Sequence, residues 1–443
     1  MLLNSNSRRS FLRTSAMGAV ALGVGCTAKS YARIIGSNDR VNFGVAGLNS
    51  RGKALAASIK DTDNTAITAV CDVDSRVIEA AKAMVKESMD IDPTPYVDFR
   101  KMVESAEIDA VAIASPDHWH APMAIIAASA GKHVYLEKPC CHNPREGEMV
   151  IAARDKYQRV IQMGNQQRSA PTSQSAIKDI RDGMIGDVYF GKAWYSNGRK
   201  SIGVGQKTAV PEWLNWDLFQ GPAPREDFRD NIVHYNWHWF WNWGTGEINN
   251  NGTHELDICR WALGVDIPKS VSSSGGRFHY EDDWEFYDTQ LANFEFEDEK
   301  MITWEGRSCN SHLHHGRGRG VTIHGTQGTV LMDRSGYEVF DNDGNSLKKR
   351  TEKEVNDGLN LVGGGDMTTL HMTNFCNGIR ISEKLNASID DGYISNLMPH
   401  LGNMSQKYGR TLHIDQSNGH VKNDAEAMGM WGRDYEPGWE PVV

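Results

Sequence analysis

Cysteine is scarce: seven in 443 residues, at positions 26, 71, 140, 141, 259, 309 and 376, and no two form a C-x-x-C pair. That spacing argues against a zinc ribbon or a thioredoxin-like redox motif, and the odd, sparse count argues against a disulfide scaffold. Positive charge is not in excess either. Lys and Arg number 47 against 57 Asp and Glu, for a formal net charge of -10. Such a balance suits neither a nucleic-acid backbone nor an anionic membrane surface. Beyond residue 25 no stretch reaches the roughly 18 apolar residues that span a bilayer. Internal repeats and long low-complexity linkers are missing too. What remains is an ordinary globular composition, 40% hydrophobic and 23% charged, on a chain long enough for about two domains.

The first thirty residues read as an address. Ser7-Arg8-Arg9-Ser10-Phe11-Leu12-Arg13 resembles a twin-arginine export signal, and an apolar run from Ala16 to Gly25 follows. A small-residue stretch then offers a cleavage point, for instance after Ala32. Residues 1–32 are therefore set apart as a signal peptide, against the plainer alternative of a disordered basic N-terminus. Cys26 follows Val24-Gly25 as in a lipoprotein signal, but the expected Leu falls one position early, at Leu22, so lipid anchoring is the minor reading. Export implies a periplasmic location, where free dinucleotide is scarce. An enzyme using one there must carry it and regenerate it within its own cycle.

Val41 to Gly47 reads as a buried strand, Leu48 to Gly52 as a turn, and Lys53 to Lys60 as a helix. This order aims backbone N–H groups and a helix N-terminus at a pyrophosphate. The G-x-G-x-x-G fingerprint is incomplete. Gly47 and Gly52 fit its first and third positions, and Asn49 replaces the second Gly, a residue that tolerates positive φ better than most. Asn49, Ser50 and Arg51 complete the turn. About 25 residues on, the strand Ala66 to Cys71 ends at Asp72, whose acid suits ribose hydroxyls and favours NAD. Arg76 keeps NADP open, and Asp72 has an alternative use as cap of a helix from Ser75 to Val85. Further strands, Ile108 to Ala114 and His133 to Leu136, flank a helix read over Pro122 to Ala130. Strands alternating with helices imply a doubly wound parallel sheet, with ligands at the strand ends. There lie Ser115, His118, Trp119, His120, Glu137 and Lys138.

These residues carry a resemblance. The glycine turn, Cys71-Asp72-Val73-Asp74, and Ala130-Gly131-Lys132-His133-Val134 leading to Glu137-Lys138-Pro139 resemble the glucose–fructose oxidoreductase / inositol dehydrogenase / rhizopine catabolism (Gfo/Idh/MocA) family. The resemblance implies an α/β fold. Residues 33–165 would form an NAD(P)-binding Rossmann domain. Residues 166–443 would form an α/β domain on an open, mostly antiparallel sheet that serves substrate binding and homo-oligomer contacts. It also implies that Lys138 lies near the nicotinamide and that Pro139 follows a cis peptide bond. In similar members a glycine turn feeds a helix bearing an Asp and, four residues later, a His. Here the His is His254 and the Asp position holds Asn250. His254 then serves as general base, Asn250 as a hydrogen-bonding orienter, and Lys138 as stabiliser of a developing alkoxide. Glu247 and Asp257 are acids close enough in sequence to tune His254, although Asp257 is out of step with it.

The segment His234 to Leu263 is rich in tryptophan, which suits pyranose faces as well as core packing. Trp119, Trp239, Arg168 and Asn250 are the candidate substrate contacts. The cluster His312, His314, His315, Arg317, Arg319 and His324 matches no familiar zinc spacing, so it is read as a solvated or substrate-facing loop and no metal site is assigned. The remainder reads as β-rich, with strands near 188–195, 270–278, 289–295, 301–305, 320–324 and 329–333, then helices over 367–377 and 392–408.

The leading expectation is an oxidoreductase moving hydride to or from a sugar or glycoside hydroxyl with a retained NAD(P). Second is an NAD-dependent glycoside hydrolase that oxidises the sugar transiently, eliminates the aglycone, adds water and reduces again. The surroundings of His254 resemble the dehydrogenase type more. A third reading, a non-catalytic sugar-binding protein, rests on the departures at Asn49 and Asn250.

Overall fold

The computed structural model describes residues 39–351 and 365–443; the twin-arginine stretch and Cys26 lie outside the described residues. The chain first runs through β1 (Val41–Ala46), α1 (Arg51–Lys60), β2 (Thr65–Cys71), α2 (Ser75–Met89), β3 (Thr94–Tyr96) and α3 (Phe99–Met102). It continues through β4 (Ala110–Ile113), α4 (Asp117–Ser129), β5 (His133–Leu136), α5 (Pro144–Tyr157) and β6 (Ile161–Met163). These strands pair in parallel in the order β3-β2-β1-β4-β5-β6. All four residues of β4 are buried, as a strand covered on both faces requires. Strand order reverses between β1 and β4, so the crevice beyond their carboxyl ends is the natural ligand position.

After that come α6 (Pro171–Arg181), β7 (Val188–Ser196), α7 (Trp216–Gln220), α8 (Gly246–Asn250) and α9 (Gly252–Leu263). The strands β8 (Ser270–Gly276), β9 (Thr289–Glu295), β10 (Met301–Arg307), β11 (Arg319–Gly325), β12 (Gly328–Asp333), β13 (Gly336–Phe340) and β14 (Ser346–Thr351) follow. The chain closes with α10 (Gly365–Ile381), α11 (Ile389–Tyr408), β15 (Leu412–His413) and α12 (Ala425–Met428). The second sheet runs β14-β13-β12-β11-β7-β10-β9-β8-β15 and is antiparallel except where β10 meets β7. Its strands alternate. In β9, Ala292 and Phe294 enter a core shared with Ile258 and Cys259 of α9 and Leu397 of α11, while Leu291, Asn293 and Glu295 stay exposed. One face is thus covered by helices and the other left open.

The expected fold class is the one observed, and several boundaries differ. The fourth helix starts at Asp117, five residues before Pro122. A proline inside a helix orphans the carbonyl four residues earlier. Here that carbonyl belongs to His118, and Arg433 Nη2 donates to it at 2.7 Å. Strands β3, β13, β14 and β15 were not expected. β14 is a polar edge strand, Ser-Leu-Lys-Lys-Arg-Thr, without apolar alternation. Late in the chain, α10 returns to the first sheet, where Met372, Phe375 and Cys376 share a core with Phe43 and Tyr135. The Phe43 and Phe375 ring centroids are 6.2 Å apart.

Candidate functional site

The glycine turn is built as its sequence requires at two positions. Gly47 has φ +79°, and a Cβ there would lie 2.4 Å from the Ala114 carbonyl oxygen. A Cβ on Gly52 would lie 1.7 Å from the Gly47 carbonyl oxygen, so the close approach of α1 to the turn depends on it. Asn49 does not resolve its departure by positive φ. That conformation falls on Ser50, φ 32°, whose N–H donates to Asn49 Oδ1 at 3.0 Å. No side chain caps the N-terminus of α1; of its first-turn N–H groups, that of Gly52 donates to the Asn49 carbonyl at 2.8 Å and that of Ala54 to the Ser50 carbonyl at 3.4 Å.

Asp72 accepts from Leu48 N at 2.7 Å and from Asp74 N at 3.0 Å. Burial pushes its carboxyl above the usual range, and those two N–H groups oppose the push. The helix cap is Asp74 instead, accepting from Arg76 N at 2.9 Å. Asp74 also holds the Arg76 guanidinium at 2.7 Å and His234 Nε2 at 2.8 Å. Arg76 lies over Trp213, 3.5 Å from the ring centroid. It is therefore held between an acid and an aromatic face, with its side chain 54% exposed. Beside Asp72 lies a slot, about 460 Å³ of empty space counted out into open solvent, walled by Val97, Phe99, Met123, Trp119 and Phe219. Its apolar walls fit a purine ring next to a ribose-binding acid. Ser115 Oγ is buried there without a partner, a polar atom left for a ligand. These features fit NAD.

A larger cleft, with about 1290 Å³ of empty volume, continues from the turn towards the second sheet. Gly47, Asn49, Ser50, Arg51, Asp72 and Ser115 line one end, and His120, Glu137, Lys138 and Asn250 the other. His120 joins the two strand-end loops, its ring nitrogens 2.5 Å from the Pro139 carbonyl and 2.8 Å from that of Ser115. Glu137 accepts from Arg51 Nε at 2.7 Å and from Gln166 Nε2 at 2.8 Å. The Lys138–Pro139 peptide is cis. Lys138 Nζ donates to the Asn250 carbonyl at 2.6 Å and to Asn250 Oδ1 at 3.0 Å. Burial lowers the ammonium pKa, against the opposing fields of Glu137 and Asp117. Asp117 itself is buried, accepts from Thr245 Oγ1 at 2.5 Å, and has its carboxyl pKa raised by burial.

Residues 197–243 supply the remaining wall. His234, Tyr235, Trp237 and His238 line the cleft, with His238 stacked on Trp237 at 3.6 Å between centroids. Burial carries the His238 pKa down to about 3. The segment is tied back to the first sheet: Ser75 N donates to the Trp213 carbonyl at 3.0 Å and Asn215 N to that of Val73 at 2.9 Å. Nothing in the nucleotide motifs signals this wall; its one sequence trace is the aromatic density after His234.

Several expected contacts are placed elsewhere. His118 is buried away from the cleft, bonded to the Phe219 and Trp243 carbonyls, with its pKa down to about 3 through burial. Trp119 lines the purine-sized slot and donates to Leu218 and Phe219 carbonyls, so it is not a sugar contact. Trp239 is buried against Trp284 at 3.9 Å between centroids; Trp237, two residues earlier, reaches the cleft. Arg168 spends its guanidinium on Asp257 in a buried ion pair at 2.8 Å. Asp257 also accepts from Ser395 Oγ, so it does not tune His254. Asn250 and His254 do not share one helix, because the chain breaks at Asn251 between α8 and α9. His254 is buried, and burial together with the positive fields of Arg334, Lys138, Arg319 and Arg51 holds its pKa well below the ordinary value. Of the loop histidines, His314 pairs with Glu305 at 2.8 Å and His324 stacks on Phe190. Among the described residues no cluster of three or more His, Cys, Asp or Glu is arranged to hold an ion.

Residues 41–165 match the family model described as "Oxidoreductase family, NAD-binding Rossmann fold", and residues 218–331 match "GFO/IDH/MocA C-terminal domain". A glycosyl hydrolase family 109 protein from Saccharopolyspora erythraea is 28% identical over 243 residues, covering 49% of this chain and 53% of that one. An alpha-N-acetylgalactosaminidase from Shewanella oneidensis is 25% identical over 159 residues, 35% of each chain. The chain thus spans about half, or less, of the length of these curated relatives. A levoglucosan dehydrogenase solved with NADH and levoglucosan has the same fold, with TM-score 0.66 at 19% identity, covering 85% of this chain and 100% of that one.

Proposed function

The chain belongs to the GFO/IDH/MocA oxidoreductase family, with its NAD-binding Rossmann fold, and on that premise we propose that it transfers hydride between a retained NAD and a hydroxyl-bearing carbon of a sugar or glycoside. The observation that carries this reading is the meeting of Lys138, from the first sheet, with Asn250, from α8, at the far end of the nucleotide-sized cleft.

NAD, when bound, supplies the hydride acceptor. An alcohol that gives up hydride must also give up its hydroxyl proton, and His254 takes it. Burial and four surrounding cations keep the imidazole neutral, so its lone pair is open to the proton, and the same fields drive it to pass that proton on instead of holding it. Two Lys138 N–H bonds are committed to Asn250, which leaves one for the substrate oxygen as it gains negative charge. Asn250 thereby fixes the ammonium, and Glu247 in turn lies 3.5 Å from Asn250 Nδ2. The wall formed by residues 197–243, fastened to the β2–α2 loop, supports retention of the nucleotide.

The similarity to glycosyl hydrolase family 109 favours a second reading with the same residues. Oxidation at one ring carbon acidifies its neighbour's C–H. A base removes that proton, the aglycone leaves with the bonding pair and a proton, water adds, and hydride returns. Atoms balance as hydrolysis and no external oxidant is consumed. Recording absorbance near 340 nm on protein purified without added nucleotide separates the readings. Reduction by a glycoside and reoxidation by a keto-sugar support the oxidoreductase. Aglycone release with the absorbance back at its start supports the hydrolase. Failure of any nucleotide to co-purify or bind rejects both.

The Ser7–Arg13 motif supports export of the folded, loaded enzyme to the periplasm. Replacing Arg8 and Arg9 by Lys should leave the protein in the cytoplasmic fraction. The open face of the second sheet, where Leu291 is 48% exposed, supports a homo-oligomer, which light scattering of the eluting protein checks.

A further inference from the structure

The end of the β11–β12 ladder holds two arginines whose charges oppose each other. Register pairs Val321 with Met332 as the last rung; Arg319 begins β11 two residues before it, and Arg334 follows β12 two residues after it, at the same end of the ladder. Arg319 follows the parity of Val321, whose side chain enters the core beneath α9, and its bond to Glu255 of α9 puts it on the helix-covered face; Arg334 is the first residue of the turn that leads from β12 to β13. Buried like charges repel unless something negative lies between them. The protein supplies one carboxylate there. Glu255 Oε1 accepts from Arg319 Nε at 2.7 Å. Elsewhere around the cleft each guanidinium has its own acid: Arg51 has Glu137 and Arg199 has Glu247, both at 2.7 Å. Among the described residues Arg334 has no ion pair of its own; its Nε and Arg319 Nη2 are buried with no partner, as is the second oxygen of the shared Glu255, Oε2. Burial and then the field of Arg319 lower the Arg334 pKa to about 9, and the field of Glu255 opposes them only in part. His254 lies in the combined field of Arg334, Lys138, Arg319 and Arg51, which places this surplus beside the proposed proton acceptor.

We propose that Arg334 and Arg319 bind an oxyanion carried by the substrate, so that the sugar is an acidic one bearing a carboxylate, sulfate ester or phosphate ester. A guanidinium pair presents forked N–H donors that match such oxygens, and the anion removes the repulsion that the empty ladder end carries. The inference rests on the sugar-enzyme reading above and names the substrate class of that same site.

The test compares matched sugars on the purified holoenzyme: glucuronate, glucose 6-sulfate and glucose 6-phosphate against glucose. Two quantities are read, the shift in Tm with each sugar and the 340 nm response. At least one acidic sugar should bind about tenfold or more tightly than glucose. Arg334→Gln should erase that ratio and Arg334→Lys should restore part of it. Which acidic sugar binds best identifies the oxyanion. Equal binding of glucose and all three acidic sugars by the wild-type protein overturns the proposal, whether or not any variant folds. Loss of bound nucleotide in Arg334→Gln with an unaltered sugar ratio also overturns it. Selective acidic-sugar binding with no 340 nm response leaves this inference standing and rejects the hydride-transfer reading instead.

Discussion

Lys138 Nζ lies 2.6 Å from the backbone carbonyl of Asn250 and 3.0 Å from its Oδ1, so one ammonium joins the nucleotide sheet to the helices of the second sheet. Lys138→Ala should lower kcat by about 10²–10⁴-fold while nucleotide remains bound, as single-turnover absorbance can read. Asn250→Asp places a carboxylate where the amide oxygen stood. It should raise the Lys138 pKa towards its ordinary value and move the alkaline limb of kcat upward.

His254 makes a second prediction. Its pKa is held well below the ordinary value, so the base stays available across the neutral range. The acid limb of kcat/KM should fall well below pH 6.5, the value of a free imidazole. Arg319→Gln or Arg334→Gln removes one opposing charge and should move that limb upward. His254→Ala should abolish the limb together with most of kcat.

Buried neutral histidines should make the fold acid-sensitive from about pH 6.5 downward. His118 is held at about 3 and His371 at about 4, both by burial. The unfolded chain binds protons at these positions from about pH 6.5 downward, and the folded chain does not until much lower. Each therefore contributes stability that is present above about pH 6.5 and is lost as pH falls from there towards the folded value, by up to about 1.4 kcal/mol per pH unit. Tm measured at pH 7.5, 6 and 5 should fall progressively. Asp72 and Asp117, whose pKa values burial raises, oppose this, because the folded chain takes up their protons before the unfolded chain does.

Gly52→Ala should fail in a specific way. The new methyl meets the Gly47 carbonyl at 1.7 Å, so α1 must move away from the turn. We expect about 1–3 kcal/mol of lost stability and a larger loss of nucleotide occupancy, measured together by denaturant titration and by nucleotide content.

Trp213 holds the wall formed by residues 197–243 against Arg76 and the β2–α2 loop. Trp213→Ala should leave the hydride chemistry intact at saturating NAD but let nucleotide escape during gel filtration. Unchanged nucleotide content would show that the wall does not retain it.

The nucleotide half was legible because its physics is local. A glycine turn, a strand-terminal acid and a run of apolar strands are set by neighbours in sequence, and Gly47, Asp72 and Lys138 all reach the cleft. The contacts from the second half were harder to read, because every candidate there depended on direction. Trp237 and Trp239 look alike in sequence, but one lines the cleft and the other stacks on Trp284. Arg168 offers a free cation on paper and meets Asp257, 89 residues away, in the fold. The helix break at Asn251 leaves no mark that a Gly or Asn would not leave in an ordinary turn. Arg334 could not be singled out until the fold buried its Nε without a partner at the same ladder end as Arg319.

The return of α10 to the first sheet has a bearing on biosynthesis. Phe43 packs on Phe375, so the nucleotide-binding core lacks one of its layers until more than three hundred further residues have left the ribosome. An emerging chain cannot complete this core early and wait for the rest. Folding is therefore a late, whole-chain event, and a protein cut short before α10 should be recovered as insoluble or protease-sensitive material, not as a smaller nucleotide-binding fragment.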